Sequence, residues 1–155
     1  ITPDGKLCVL DFGAVSRLPD GLPVAMGTLL SIAQSGDADK VLLGLREEGF
    51  VTPKIDVDAE QILSYLEPFV EPTRHETFHF TRDWIRGEFN RINDVRNPDF
   101  TIGMKINLPP SYALIHRVWL GSIAVLCQLD AHVPVLDELN AWVPGFKPAT
   151  APADQ

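Results

Sequence analysis

Between Leu22 and Gly145 prolines and glycines divide the chain into stretches of helical length, within which apolar residues recur at helical spacing. This punctuation restricts the fold to packed helices more tightly than any other feature. Pro23 suits the first turn of a helix that continues through Ala33, with Leu29, Leu30, Ile32 and Ala33 apolar, and Gly36 suits its stop. Asp37 can cap a second helix, carrying Val41, Leu42 and Leu45 and ending at Gly49. Asp58 followed by Gln61 has the form of a capping box. It opens a third helix whose inward face is Ile62, Leu63, Leu66 and Phe69 or Val70, and which Pro72 closes. Thr81 can cap a fourth with Trp84, Ile85, Phe89 and Ile92 on one side, before a polar break from Asn93 to Pro98.

Leu108-Pro109-Pro110-Ser111 opens the longest apolar stretch, Tyr112 to about Leu129, interrupted by His116, Arg117 and Gln128. Its length approaches the ~20 residues that cross a bilayer. An arginine near the middle costs about 2.5 to 3.5 kcal/mol on insertion scales, and no basic flank is present. The expectation is a helix buried at the centre of a bundle, with Arg117 paired to a carboxylate such as Asp130 or Glu67. Val133-Pro134 starts a last amphipathic helix through Leu136, Leu139 and Trp142. The expected domain spans residues 1–146, followed by a Pro/Ala-rich tail at 147–155.

The chain has 155 residues, enough for one domain, and 45% apolar content supplies a core. A net charge of -8 argues against a phosphate-backbone footprint, so no nucleic-acid partner is expected. Cys8 and Cys127 lie far apart in apolar stretches and read as buried free thiols of a reducing, cytoplasmic compartment. The start at Ile1, without Met or a secretory signal, is read as that of a fragment.

Two short motifs carry chemistry. Thr2-Pro3-Asp4-Gly5 is turn chemistry, Lys6 to Leu10 reads as a short strand, and Asp11-Phe12-Gly13 closes it. An aspartate there is the carboxylate that phosphate-bound Mg²⁺ uses, the phenylalanine anchors the turn, and the glycine permits the bend. Chance alone gives the tripeptide in roughly 2% of chains this long, so the strand before it carries the weight. The apolar edge from Leu7 to Leu10 has no visible partner, and pairing with a second copy in a homodimer is expected. The other motif, His75-Glu76-Thr77-Phe78-His79, spells the zinc-peptidase pattern. The β-branched and aromatic residues around it and Pro72 upstream disfavour the long helix that chemistry needs, and surface or capping histidines are expected instead. The acidic clusters Glu47-Glu48 and Asp56, Asp58, Glu60 read as solvated helix ends.

Gly5 through Pro19, with Leu10-Asp11-Phe12-Gly13, a small-apolar pair and then Arg17-Leu18, resembles the AarF/UbiB family of atypical, protein-kinase-like ATPases. Leu108-Pro109-Pro110, Arg117, Gly121 and Leu129-Asp130 look like that family's proline-initiated helix. The resemblance implies a mainly α, helical kinase-like C-lobe fragment with one short N-terminal β-strand or hairpin remnant. It implies Asp11, Phe12 and Gly13 as the nucleotide-site element, with Asp11 a ligand of Mg in Mg-ATP. It further implies a role in isoprenoid quinone or lipid metabolism, at the periphery of a membrane. The family's nucleotide loop, strand lysine and His-x-Asp-x-His-Pro-Gly-Asn catalytic loop are absent, so the N-terminal half of the same protein is the expected partner and the fragment alone is expected to be inactive. The alternative is a non-catalytic helical module that binds a lipid or a protein.

Overall fold

A computed structural model describes residues 3–6 and 15–147. Among them the architecture is mainly α, with eight α-helices, two short 3-10 segments and one two-stranded ladder. The helices are α1 (Val24–Ser35), α2 (Ala38–Glu47), α3 (Ala59–Tyr65), α4 (Glu67–Val70), α5 (Arg82–Asn93), α6 (Pro98–Lys105), α7 (Ala113–Gln128) and α8 (Val135–Trp142). The strands β1 (Phe78–His79) and β2 (His132–Val133) pair antiparallel, Phe78 opposite Val133 and His79 opposite His132. The expected strand at 7–10 and its Asp11-Phe12-Gly13 end lie outside the described residues, as do Cys8 and residues 148–155 of the tail.

Helix starts follow local chemistry. Asp37 accepts from the Lys40 amide at 3.1 Å, Asp58 from the Gln61 amide at 2.9 Å, and Thr81 Oγ1 from the Trp84 amide at 3.0 Å. Each side chain satisfies a donor that the first helical turn leaves unpaired, worth about 1 kcal/mol. Gly36 ends α1 at φ 79°, a left-handed cap that an L side chain adopts only under strain.

The main core gathers Val41, Val51, Ile62, Val70 and Ile102, all fully buried, from α2, α3, α4, α6 and the loop after α2. Each contributes on the order of 1.5–3 kcal/mol by leaving water. A second cluster joins Phe78 and Phe80 to Cys127 of α7, with Trp84 and Ile85 of α5 against it. Phe78 meets Phe80 and Trp84 edge-on, with ring centroids 4.8 and 5.2 Å apart. This cluster and the β1–β2 ladder fasten α5 to the end of α7.

Five expectations are corrected. The third helix does not run unbroken to Pro72. It divides at Leu66 because Pro68 has no N–H for the Ser64 carbonyl, which accepts from Arg91 at 3.2 Å instead, and a 3-10 turn then carries the chain through Pro72. Residues 98–105 form α6, capped by Asn97, where no helix was expected. α7 is not buried at the centre of the bundle: of its own residues only Cys127 is fully buried, while Val118 and Val125 are 64% and 54% exposed. Arg117 therefore stands in solvent and needs no partner, and the carboxylates assigned to it are used elsewhere, Glu67 by Arg74 and Asp130 by His79. Phe89 and Trp142, expected on the apolar sides of their amphipathic helices, are 65% and 75% exposed.

Candidate functional site

Asp11, Phe12 and Gly13 lie outside the described residues; residues 15–18 are exposed and without regular secondary structure, and a turn follows, closed by the Gly21 amide on the Leu18 carbonyl at 3.0 Å. The zinc-peptidase pattern is not on a helix. His75 is extended, at φ -117° and ψ 144°, and His79 lies in β1. His79 Nε2 is 3.0 Å from Asp130 Oδ1, and its ring stacks on that of His132 with centroids 3.9 Å apart. Among the described residues no group of three His, Cys, Asp or Glu is placed to hold a metal ion.

The concave feature of the described residues lies under the inner edge of α7. Ile115, Trp119, Ile123 and Cys127 recur every fourth residue and turn toward the bundle: Ile123 and Cys127 pack with the Phe78, Phe80 and Trp84 cluster, while Ile115 and Trp119 face residues of α1 and α4 across an open space. A cleft of about 320 Å³ opens there, walled by Met26, Leu29 and Leu30 of α1, Phe69 of α4, Gly103 of α6, and Ile115, His116 and Trp119 of α7. A second, of about 610 Å³, continues toward α8 and shares Met26, Phe69, Ile115 and Trp119 with the first. Protein interiors rarely hold voids much larger than a water molecule, so spaces of this size are clefts of binding dimension. Phe69 faces two rings of α7, with centroids 6.5 Å from His116 and 6.3 Å from Trp119.

The first cleft is lined without a single Asp, Glu, Lys or Arg. Its polar atoms belong to Tyr65, Tyr112, His116 and Trp119. The Tyr112 hydroxyl donates to Glu48 Oε2 at 2.8 Å. Burial, then the hydrogen bond to the Glu48 carboxylate and its charge, push the Tyr112 phenol up to about 12. Burial also raises the Tyr65 phenol and lowers the His116 imidazole, which keeps that ring neutral. Burial likewise raises the Cys127 thiol, which is free, as expected of a reduced structural cysteine. In the sequence His116 was visible only as an interruption of an apolar run; its place one turn after Tyr112 and one turn before Trp119 was the available signal.

The class defined by this arrangement is a mainly helical bundle with a cleft free of charged side chains beneath one long helix. A solved structure with the same fold is that of Rv3197 from Mycobacterium tuberculosis in complex with erythromycin, at 33% sequence identity and a TM-score of 0.79. The likeness covers 93% of this chain and 35% of that one, so the chain spans about a third of its neighbour's length. No protein-family model and no curated protein sequence matches the chain.

Proposed function

We propose that the chain is the helical C-terminal part of an AarF/UbiB-like atypical kinase or ATPase, in which Asp11 binds the Mg²⁺ of ATP. One observation carries the reading: Asp11-Phe12-Gly13 ends an apolar run just ahead of a helical body whose 33%-identical counterpart is 35% of a longer chain. The donor chemistry fits, because Mg²⁺ takes hard oxygen ligands and is commonly held by one or two carboxylates together with substrate phosphates. Held by Asp11, the ion would supply positive charge to offset the negative charge that develops on the phosphates during transfer. In this reading Asp11 would supply the anionic oxygen, with Phe12 and Gly13 completing the nucleotide-site element. The general base and the phosphate-gripping lysine belong to the N-terminal half of the intact protein.

The same reading gives the protein a role in isoprenoid quinone or lipid metabolism and a cytoplasmic setting at the periphery of a membrane. The buried free thiol of Cys127 supports a reducing compartment, and no helix among the described residues is long and apolar enough to cross a bilayer. The reading is tested by ATP hydrolysis in the chain joined to its N-terminal half. Asp11→Asn is expected to lower the rate by about a hundredfold or more, several kcal/mol of charge stabilisation; an unchanged rate would remove Asp11 from the site.

A further inference from the structure

We propose that the cleft between α1, α4 and α7 takes a neutral single-chain amphiphile, an apolar chain ending in one hydroxyl or carbonyl oxygen that hydrogen-bonds the His116 imidazole. Three properties of the cleft select this chemistry, and none depends on the nucleotide reading above.

Size sets the chain. A water's share of liquid volume is about 30 Å³ and a methylene is comparable, so a cleft of about 320 Å³ accommodates on the order of ten heavy atoms. Charge sets the neutrality. The wall holds no Asp, Glu, Lys or Arg, so an ionised ligand group would lose its hydration with no ion to pair with. The aromatic faces of Phe69 and Trp119 and the branched side chains of Leu29 and Ile115 give an alkyl chain close dispersion contact.

The unused polar groups set the head. Tyr112 is occupied by Glu48, but the His116 ring has no hydrogen-bond partner among the described residues, nor has the Tyr65 hydroxyl or the Trp119 indole. None of these atoms is sealed: among the described residues Arg46 Nε is the buried side-chain atom without a partner. His116 is thus a half-buried imidazole on a wall of apolar groups, beside Phe69, with both ring nitrogens available. A neutral imidazole donates from one nitrogen and accepts at the other, so it pairs with a carbonyl or with a hydroxyl. The titratable groups lining the cleft with it are the phenols of Tyr65 and Tyr112, the second held by Glu48, and no ionised side chain lines the cleft beside the ring.

The test is calorimetric titration of the 155-residue chain with decanol, decanoate and decane near neutral pH. Decanol is expected to bind about threefold to tenfold more tightly than decane, the value of one hydrogen bond, and decanoate more weakly than decanol. His116→Leu is expected to erase the preference for decanol over decane while leaving decane bound, and His116→Asn to retain part of it. Leu108→Trp, a bulky change at the partly exposed rim, is expected to weaken all three probes together. Circular dichroism establishes that each variant is folded. Absence of binding by the folded wild-type chain, an alcohol preference that survives His116→Leu, or affinities indifferent to Leu108→Trp would each overturn the proposal.

Discussion

The Tyr112 hydroxyl reaches across 64 positions of sequence to donate to Glu48 Oε2 at 2.8 Å, joining the entry of α7 to the end of α2. Phe50 packs on the same ring at a centroid distance of 4.8 Å. Tyr112→Phe retains the ring contact and removes the hydrogen bond, so a loss of about 0.5–1.5 kcal/mol is expected in urea unfolding. The raised phenol gives the effect a sign in pH. Stability from the neutral hydroxyl is complete below the ordinary tyrosine value and is lost as pH rises from there through about 12. Ultraviolet titration of Tyr112 against the Phe variant checks this.

Asp99 is 4% exposed and is held by Arg91, which also donates to Glu88 and to the Ser64 carbonyl. Arg91→Met would leave a buried carboxylate without its cation while keeping most of the side-chain volume. A loss of about 3 kcal/mol is expected, and the double variant Arg91→Met with Asp99→Asn should recover part of it.

The segment from Pro144 to Phe146 lies directly on α1 at Gly27, and a Cβ added to Gly27 would overlap its backbone. Gly145, at φ 81°, faces Val24 and Thr28 of the same helix, and the Lys147 amide donates to Ser31 Oγ at 2.7 Å. Gly27→Ala is expected to destabilise the fold by about 1–3 kcal/mol even though alanine favours helices, whereas Gly87→Ala, into open space on α5, should be neutral or stabilising. Thermal unfolding of the two variants separates packing from propensity.

Burial alone lowers the His116 imidazole below the ordinary histidine value. As pH falls through that ordinary value the unfolded chain takes up the proton first, so stability is complete above it and declines with acidification until the folded ring protonates too. His116→Leu is expected to flatten the stability profile on the acid side of neutrality. An unchanged profile in that variant would place the acid dependence elsewhere.

Local chemistry was the part of the fold that could be read directly. The caps Asp37, Asp58 and Thr81 and the stop at Gly36 act within a few residues, and each was visible as a residue type at a fixed offset. What escaped depends on contacts between distant segments. β1 and β2 are two residues each and pair across more than fifty positions, which leaves no periodicity to detect. α6 holds Thr101 and Gly103 within eight residues and owes its inward face to Ile102 alone among apolar side chains. The apolar run of α7 gave its helix but not its exposure, because hydropathy does not record that other segments cover one side of it, along Ile115, Trp119, Ile123 and Cys127, and leave Val118 and Val125 to solvent. The cleft was invisible for the same reason, since Met26, Phe69, Gly103 and His116 meet only once the helices have packed.

The central claim is that Asp11 binds magnesium on the nucleotide, and its most direct measurement is the affinity of the intact protein for ATP with and without Mg²⁺. Wild type is expected to bind Mg-ATP at least about tenfold more tightly than metal-free ATP, a difference of about 1.4 kcal/mol. In Asp11→Asn the two affinities are expected to converge while metal-free ATP still binds. An Asp11→Asn protein that kept the full magnesium dependence would contradict the account.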